Sequence, residues 1–168
     1  KWAIDHDAGY ILVLNNDVTL DKNLIVELLN TFSLEKDSGL VSPKIYFSKG
    51  SEFHKNRYAK EDLGNVIWYA GGKMDWKNII GSHRGVDEVD KGQFNQLLST
   101  DFVSGCCVMI KKEVFESVGF FDEKYFLYYE DNDLSQRAAR KNFGIYFQPK
   151  AKLWHKNASS AGGSGSDL

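Results

Sequence analysis

An uninterrupted apolar run, Tyr10-Ile11-Leu12-Val13-Leu14, sits between a charged stretch and the polar Asn15-Asn16-Asp17. Such a run reads as a strand buried on both faces, hence as an interior strand of a parallel or mixed sheet. Leu24, Ile25, Leu28, Leu29 and Phe32 then recur at helical spacing, with Asp21 placed as N-cap and Gly39 beyond the end. Leu40-Val41-Ser42-Pro43-Lys44-Ile45-Tyr46 predicts a second strand and closes one βαβ unit. From Phe47 to about Ser99 the pattern weakens, and Gly71, Gly72, Gly81, Gly85 and Gly92 punctuate short pieces such as Val66-Ile67-Trp68-Tyr69. An unpatterned stretch that long inside a compact domain usually serves function, so it is expected to be an insertion facing an active site. Order returns with a third strand over 101–110, a short helix from Glu113 to Val118 stopped by Gly119, a helix over 131–142 and a short strand over 144–148 leading to Pro149. The fold class is α/β, a mixed sheet flanked by helices. Residues 1–157 form one domain, and 158–168, small and polar, have the composition of a flexible tail.

Composition narrows what this domain does. With 168 residues there is room for one substantial core and not for two ordinary domains. A net charge of −2 gives no general attraction to nucleic acid or an anionic membrane, so nucleic acid is not an expected partner. No apolar run approaches the roughly 20 residues of a membrane-spanning helix, and the chain reads as soluble. The only cysteines are the adjacent Cys106 and Cys107, which point to opposite faces in a strand and cannot readily bond each other. A reducing, cytoplasmic setting is expected.

Three places could carry chemistry. Asn15-Asn16-Asp17 follows a strand, where α/β sheets bind ligands, and its oxygens suit a hard divalent cation; taken alone, the tripeptide reads first as an Asx turn ending the strand. Tyr128-Tyr129-Glu130-Asp131-Asn132-Asp133-Leu134 puts three acids at a helix start, where free backbone N–H groups favour them. The aromatics Tyr125, Phe126, Tyr128 and Tyr129 could instead desolvate one carboxylate into a general base. Leu153-Trp154-His155, placed after the last strand, offers a histidine that is either structural or a metal ligand.

Taken in order, these pieces resemble the nonprocessive family 2 glycosyltransferases, especially the rhamnosyltransferase-like group. The matching stretches are Tyr10 to Val18, Asp90-Lys91-Gly92-Gln93-Phe94, Asp101 to Cys106, Val118-Gly119-Phe120-Phe121-Asp122-Glu123, Phe126 to Leu134, and Pro149-Lys150-Ala151 followed by Trp154-His155. The resemblance implies a GT-A fold and an inverting hexosyltransferase of bacterial polysaccharide or cell-wall synthesis. Its partners would be a nucleotide-sugar donor and a saccharide or lipid-linked acceptor, with Mg²⁺ or Mn²⁺ as cofactor. By the same resemblance Asn15-Asn16-Asp17 stands at the family's Asp-x-Asp motif, with Asp17 the principal metal ligand, Asn15 and Asn16 beside the donor, and His155 a second metal ligand. Asp131 matches the catalytic base, with Glu130 next to it. Ser104 and Gly105 would line the sugar or acceptor pocket, with Trp68, Arg84 and Gly85 on the acceptor side. It implies a cytoplasmic protein, or one peripheral to the inner membrane face. It also implies further nucleobase-binding strands ahead of Lys1. On that expectation the first strand is a sheet edge prone to self-association, and the isolated chain is inactive. Two other classes stay open, a non-catalytic carbohydrate-binding or assembly module on the same scaffold and a metal-dependent phosphohydrolase.

Overall fold

The computed structural model describes residues 1–54, 56–126 and 128–156. In chain order its elements are α1 (Trp2–Asp5), β1 (Tyr10–Leu14), β2 (Val18–Leu20), α2 (Leu24–Leu34), β3 (Ser38–Phe47), β4 (Ile67–Tyr69), β5 (Gly72–Asp75), β6 (Ile80–His83), β7 (Leu98–Ser99), β8 (Cys107–Lys111), α3 (Lys112–Val118), α4 (Glu130–Ala139) and β9 (Gly144–His155). The main sheet has the order β1-β8-β3-β9-β2, with β4 added on β3 and β7 on β9; β5 and β6 form a separate hairpin. β3 runs parallel to β9 and antiparallel to β8, and β1 is antiparallel to β8. The sheet is therefore mixed, as expected, and β1-α2-β3 is a parallel crossover with β8 inserted between its strands.

β3 sits centrally and is buried along all ten of its residues. Its side chains alternate between two cores. Val41 and Ile45 pack with Leu24, Leu28 and Phe32 of α2, and Leu40 packs with Val114 and Phe115 of α3 and Leu134 and Ala138 of α4. Helices thus cover both faces, and each fully buried Leu or Ile stabilises the fold by roughly 1.5–3 kcal/mol. No helix among the described residues is long and apolar enough to cross a membrane.

Several expectations are corrected here. β1 is the last strand in the sheet order rather than an interior one, and Tyr10 and Leu14 are 43% and 37% exposed. Its apolar run is satisfied by partial cover on each face. α2 starts after Asn23, not Asp21; the Asp21 carboxylate accepts the Asn23 N–H at 2.8 Å in the turn that leads in. The strand expected over 101–110 pairs only over Cys107–Lys111, because Ser104 to Cys107 is a turn. The strand expected over 144–148 continues to His155: Pro149 falls in a bulge, where pairing jumps from Pro43 with Gln148 to Lys44 with Lys152 and no ladder N–H is required of it. The tail, 158–168, lies outside the described residues.

The weakly patterned stretch holds β4 to β7 and is pinned from beneath by a buried cation. Lys44 is fully buried, and its Nζ donates to Asp90 Oδ2 at 2.7 Å and Asn95 Oδ1 at 2.8 Å. The Tyr46 hydroxyl donates to the same Asp90 oxygen at 2.6 Å. Burial pushes the Asp90 carboxyl up, but the bonds from Lys44, Tyr46 and the Gly92 N–H outweigh it and hold it below its ordinary value. The Asp90 to Phe94 motif is therefore a clamp on the insertion.

Candidate functional site

The turn Ser104 to Cys107 is the hub of the site. Its Cys106 carbonyl accepts the Asn15 N–H at 3.0 Å, which ties it to the end of β1. Its Gly105 N–H donates to Asp131 Oδ2 at 2.8 Å, which ties it to the start of α4. A side chain beginning at Gly105 would stand 3.6 Å from both Asp131 Oδ2 and Glu130 Oε1, so glycine keeps the space beside the two carboxylates open. Ser104, expected in a sugar pocket, is 3% exposed, and its hydroxyl accepts the Cys106 N–H at 3.2 Å; it shapes the turn. Both cysteines are free and buried, and burial pushes the Cys107 thiol up to about 12, so neither is a thiolate nucleophile.

Asp131 is held on every side. Oδ1 accepts the Asn132 N–H at 2.8 Å and Asn132 Nδ2 at 3.2 Å, while the Asp131 carbonyl accepts the Ser135 hydroxyl at 2.7 Å. Each carboxylate oxygen has two lone pairs, so capacity for a further donor remains. Asp133 is taken up structurally: Arg137 bonds it at 2.8 Å and reaches the Val118 and Phe120 carbonyls at 2.6 and 2.9 Å. Glu130 Oε2 and Asn132 Oδ1 are buried without a hydrogen-bond partner among the described residues. The chain enters α4 through two left-handed aromatic residues, Tyr128 at φ 67° and Tyr129 at φ 70°, a conformation costing about 1–3 kcal/mol each and typical of functional sites. Tyr125, Phe126, Tyr128 and Tyr129 are 42%, 99%, 71% and 50% exposed.

Asp17 and His155 meet because β2 pairs antiparallel with β9. Val18 lies opposite His155, and the Lys156 N–H bonds the Asp17 carbonyl at 3.0 Å. His155 Nε2 comes to 3.2 Å from Asp17 Oδ1. His155 is thus the last residue of β9 rather than a residue beyond it. Burial lowers its imidazole below the ordinary value, with Asp17 pulling partly the other way, so it is neutral at neutral pH and able to ligate. Among the described residues no group of three or more His, Cys, Asp and Glu side chains is placed to hold a metal ion, so the pair offers two protein ligands, an oxygen and a nitrogen 3.2 Å apart. Asn15 and Asn16 are exposed beside it.

Trp68 connects this pair to β6, because its ring meets His155 at 4.9 Å and His83 at 4.5 Å, edge-on in each case. Arg84 turns elsewhere: Nε donates to the Ala70 carbonyl at 2.7 Å, and the guanidinium stacks over Phe94 and Phe147 at 5.3 and 5.2 Å. Gly85 has φ +71°, and any side chain there would meet Phe94 at 2.5 Å, a structural reason for glycine. His83 was missed by sequence reasoning. A lone histidine between glycines in an unpatterned stretch gives no signal.

Residues 3–166 match the family model described as "Glycosyltransferase like family 2". The low-salt glycan biosynthesis hexosyltransferase Agl10 of Haloferax volcanii is 28% identical over 146 residues, which is 86% of this chain and 42% of that protein. An N-acetylglucosaminyl-diphospho-decaprenol L-rhamnosyltransferase of Mycobacterium tuberculosis is 26% identical over 161 residues, 96% of this chain and 50% of that protein. This chain therefore spans half or less of the length of these relatives. A crystal structure of GalNAc-T7 with UDP, GalNAc and Mn²⁺ superposes with a TM-score of 0.61 at 15% identity, over 88% of this chain and 27% of that one. The chain belongs to glycosyltransferase-like family 2 and is built on a GT-A fold.

Proposed function

We propose that this chain carries the catalytic base and the diphosphate-facing pair of an inverting, metal-dependent hexosyltransferase. The protein would move a sugar from a nucleotide-sugar donor to a saccharide or lipid-linked acceptor in glycan or cell-wall synthesis. The observation that carries this reading is the Ser104 to Cys107 turn, whose backbone bonds Asp131 on one side and the strand end leading to Asp17 on the other. A firmly held carboxylate and an Asp–His pair are thereby mounted on one rigid support.

Asp131 takes the proton from the acceptor hydroxyl as its oxygen attacks the anomeric carbon, and Glu130 beside it adds negative charge and an open acceptor. A single displacement from the side opposite the leaving group inverts that carbon. Asp17 and His155 would hold Mg²⁺ or Mn²⁺, with Asn15 a weaker partner and Asn16 adjacent. When bound, that ion supplies positive charge to the departing nucleoside diphosphate. His155 would ligate through Nε2 as the neutral tautomer protonated at Nδ1, and Gly105 leaves room beside the base for the acceptor. The names of the relatives point the same way, since they specify hexosyl and rhamnosyl transfer. The test is transfer from nucleotide sugars by the full-length protein with and without Mn²⁺ or Mg²⁺. Saccharide binding with no metal-dependent transfer would instead favour a non-catalytic module.

A further inference from the structure

His83 ends β6 in a position that the roles above leave unused. Its Nδ1 lies 3.1 Å from the Trp68 carbonyl, which can only accept, so Nδ1 carries the proton and Nε2 presents a lone pair. No described residue hydrogen-bonds Nε2. The ring is packed edge-on against Trp68 at 4.5 Å and Tyr69 at 5.1 Å, which sets its orientation. Burial holds the imidazole below its ordinary value, against the raising pull of the Trp68 bond and of Asp131, and His155 adds to the lowering; at neutral pH the lone pair is therefore present.

The neighbours of His83 define what it would meet. Through Trp68 it is one ring away from His155 and the Asp17 pair. Two residues earlier on β6, a side chain at Gly81 would stand 3.2 Å from Asn132 Oδ1, beside Asp131. β6 thus spans from the leaving-group side to the base side. In a direct displacement, nucleophile, anomeric carbon and leaving group lie in line, so what fills the space between those sides is the sugar being transferred. We propose that His83 is a sugar-binding residue whose Nε2 accepts a hydrogen bond from a hydroxyl of the transferred sugar, with the Trp68 ring alongside as an apolar wall. The inference rests on the transferase reading and names a contact that reading does not contain.

Two substitutions separate binding from support. His83→Asn keeps an N–H for the Trp68 carbonyl and deletes the acceptor at Nε2; His83→Gln places a carboxamide oxygen near Nε2. The full-length protein is assayed for release of nucleoside diphosphate from UDP-glucose, UDP-galactose, UDP-N-acetylglucosamine, GDP-mannose and dTDP-L-rhamnose. For whichever donor the wild type uses, His83→Asn raises KM about tenfold, the loss of one hydrogen bond, while inhibition by the sugar-free nucleoside diphosphate is unchanged. His83→Gln restores most of the loss. An unchanged KM in His83→Asn, or equal weakening of donor and diphosphate, overturns the inference and leaves the transferase reading standing. No release from any of the five donors by the wild type overturns both. Should His83→Asn fail to fold, the ¹⁵N shift of wild-type His83 Nε2 decides. It moves with the sugar nucleotide and not with the diphosphate, and an identical response to the two contradicts the assignment.

Discussion

His155 Nε2 stands 3.2 Å from Asp17 Oδ1, and the antiparallel register of β2 on β9 brings the two side chains together. If the pair holds a divalent ion, Asp17→Ala removes its one formal charge and leaves the neutral amides of Asn15 and Asn16. Mn²⁺-dependent binding of a nucleoside diphosphate to the full-length protein is then expected to weaken at least about tenfold in calorimetric titration. An unchanged metal dependence would remove Asp17 from the site.

His83 and His155 are both held below the ordinary histidine value of 6.5, chiefly by burial. A depressed value means that the unfolded chain binds the proton more readily than the folded one. The stability these groups contribute is complete above that ordinary value and is lost as pH falls from it towards the depressed values. In chelator-treated protein, the urea midpoint should therefore fall as pH drops from about 7.5 to about 5, and less steeply in His155→Asn. An equal slope in the variant would show that the His155 imidazole is not the titrating group.

The buried ammonium of Lys44 is neutralised by Asp90 at 2.7 Å. Lys44→Ala leaves Asp90 and the Tyr46 hydroxyl without their cation, at an expected cost of about 3–5 kcal/mol in denaturant unfolding. Lys44→Met, which refills the volume, should cost less. A Lys44→Met protein as stable as wild type would mean that packing rather than charge holds the insertion.

Much of this fold can be read from periodicity, because α2, β3, α3 and the core of α4 bury their apolar side chains at regular spacing. Reading fails where polar backbone chemistry overrides the pattern. Phe102-Val103 looked like strand, but the Gly105 N–H is committed to Asp131 and pairing starts only at Cys107. Pro149 looked like a terminator, but a bulge absorbs it and the strand carries His155 onward to Asp17. The site shows the same division. Asp17, Asp131 and His155 stand out by motif, whereas His83 depends on a bond to Trp68 that only the folded chain forms. Arg84 was placed on the acceptor side by the resemblance, and its guanidinium stacks over the rings of Phe94 and Phe147.

β1 ends the sheet order, with Tyr10 43% and Leu14 37% exposed. Such an edge favours pairing with another chain. Sedimentation of residues 1–168 is expected to show a concentration-dependent dimer or larger species, reduced when Leu12→Lys places a charge on the strand. A monomer at all concentrations would show that this edge is protected.

The central claim is that Asp131 is the base of a sugar transfer. Asn at this position keeps one oxygen for the Gly105 N–H and cannot take a proton. In the full-length protein, Asp131→Asn should lower turnover of the nucleotide-sugar donor by about 10²- to 10⁴-fold while leaving donor affinity within about twofold. Single-turnover kinetics on a wild-type donor, with the product anomer read by NMR as inverted, makes the comparison. Turnover in Asp131→Asn equal to wild type would contradict the account.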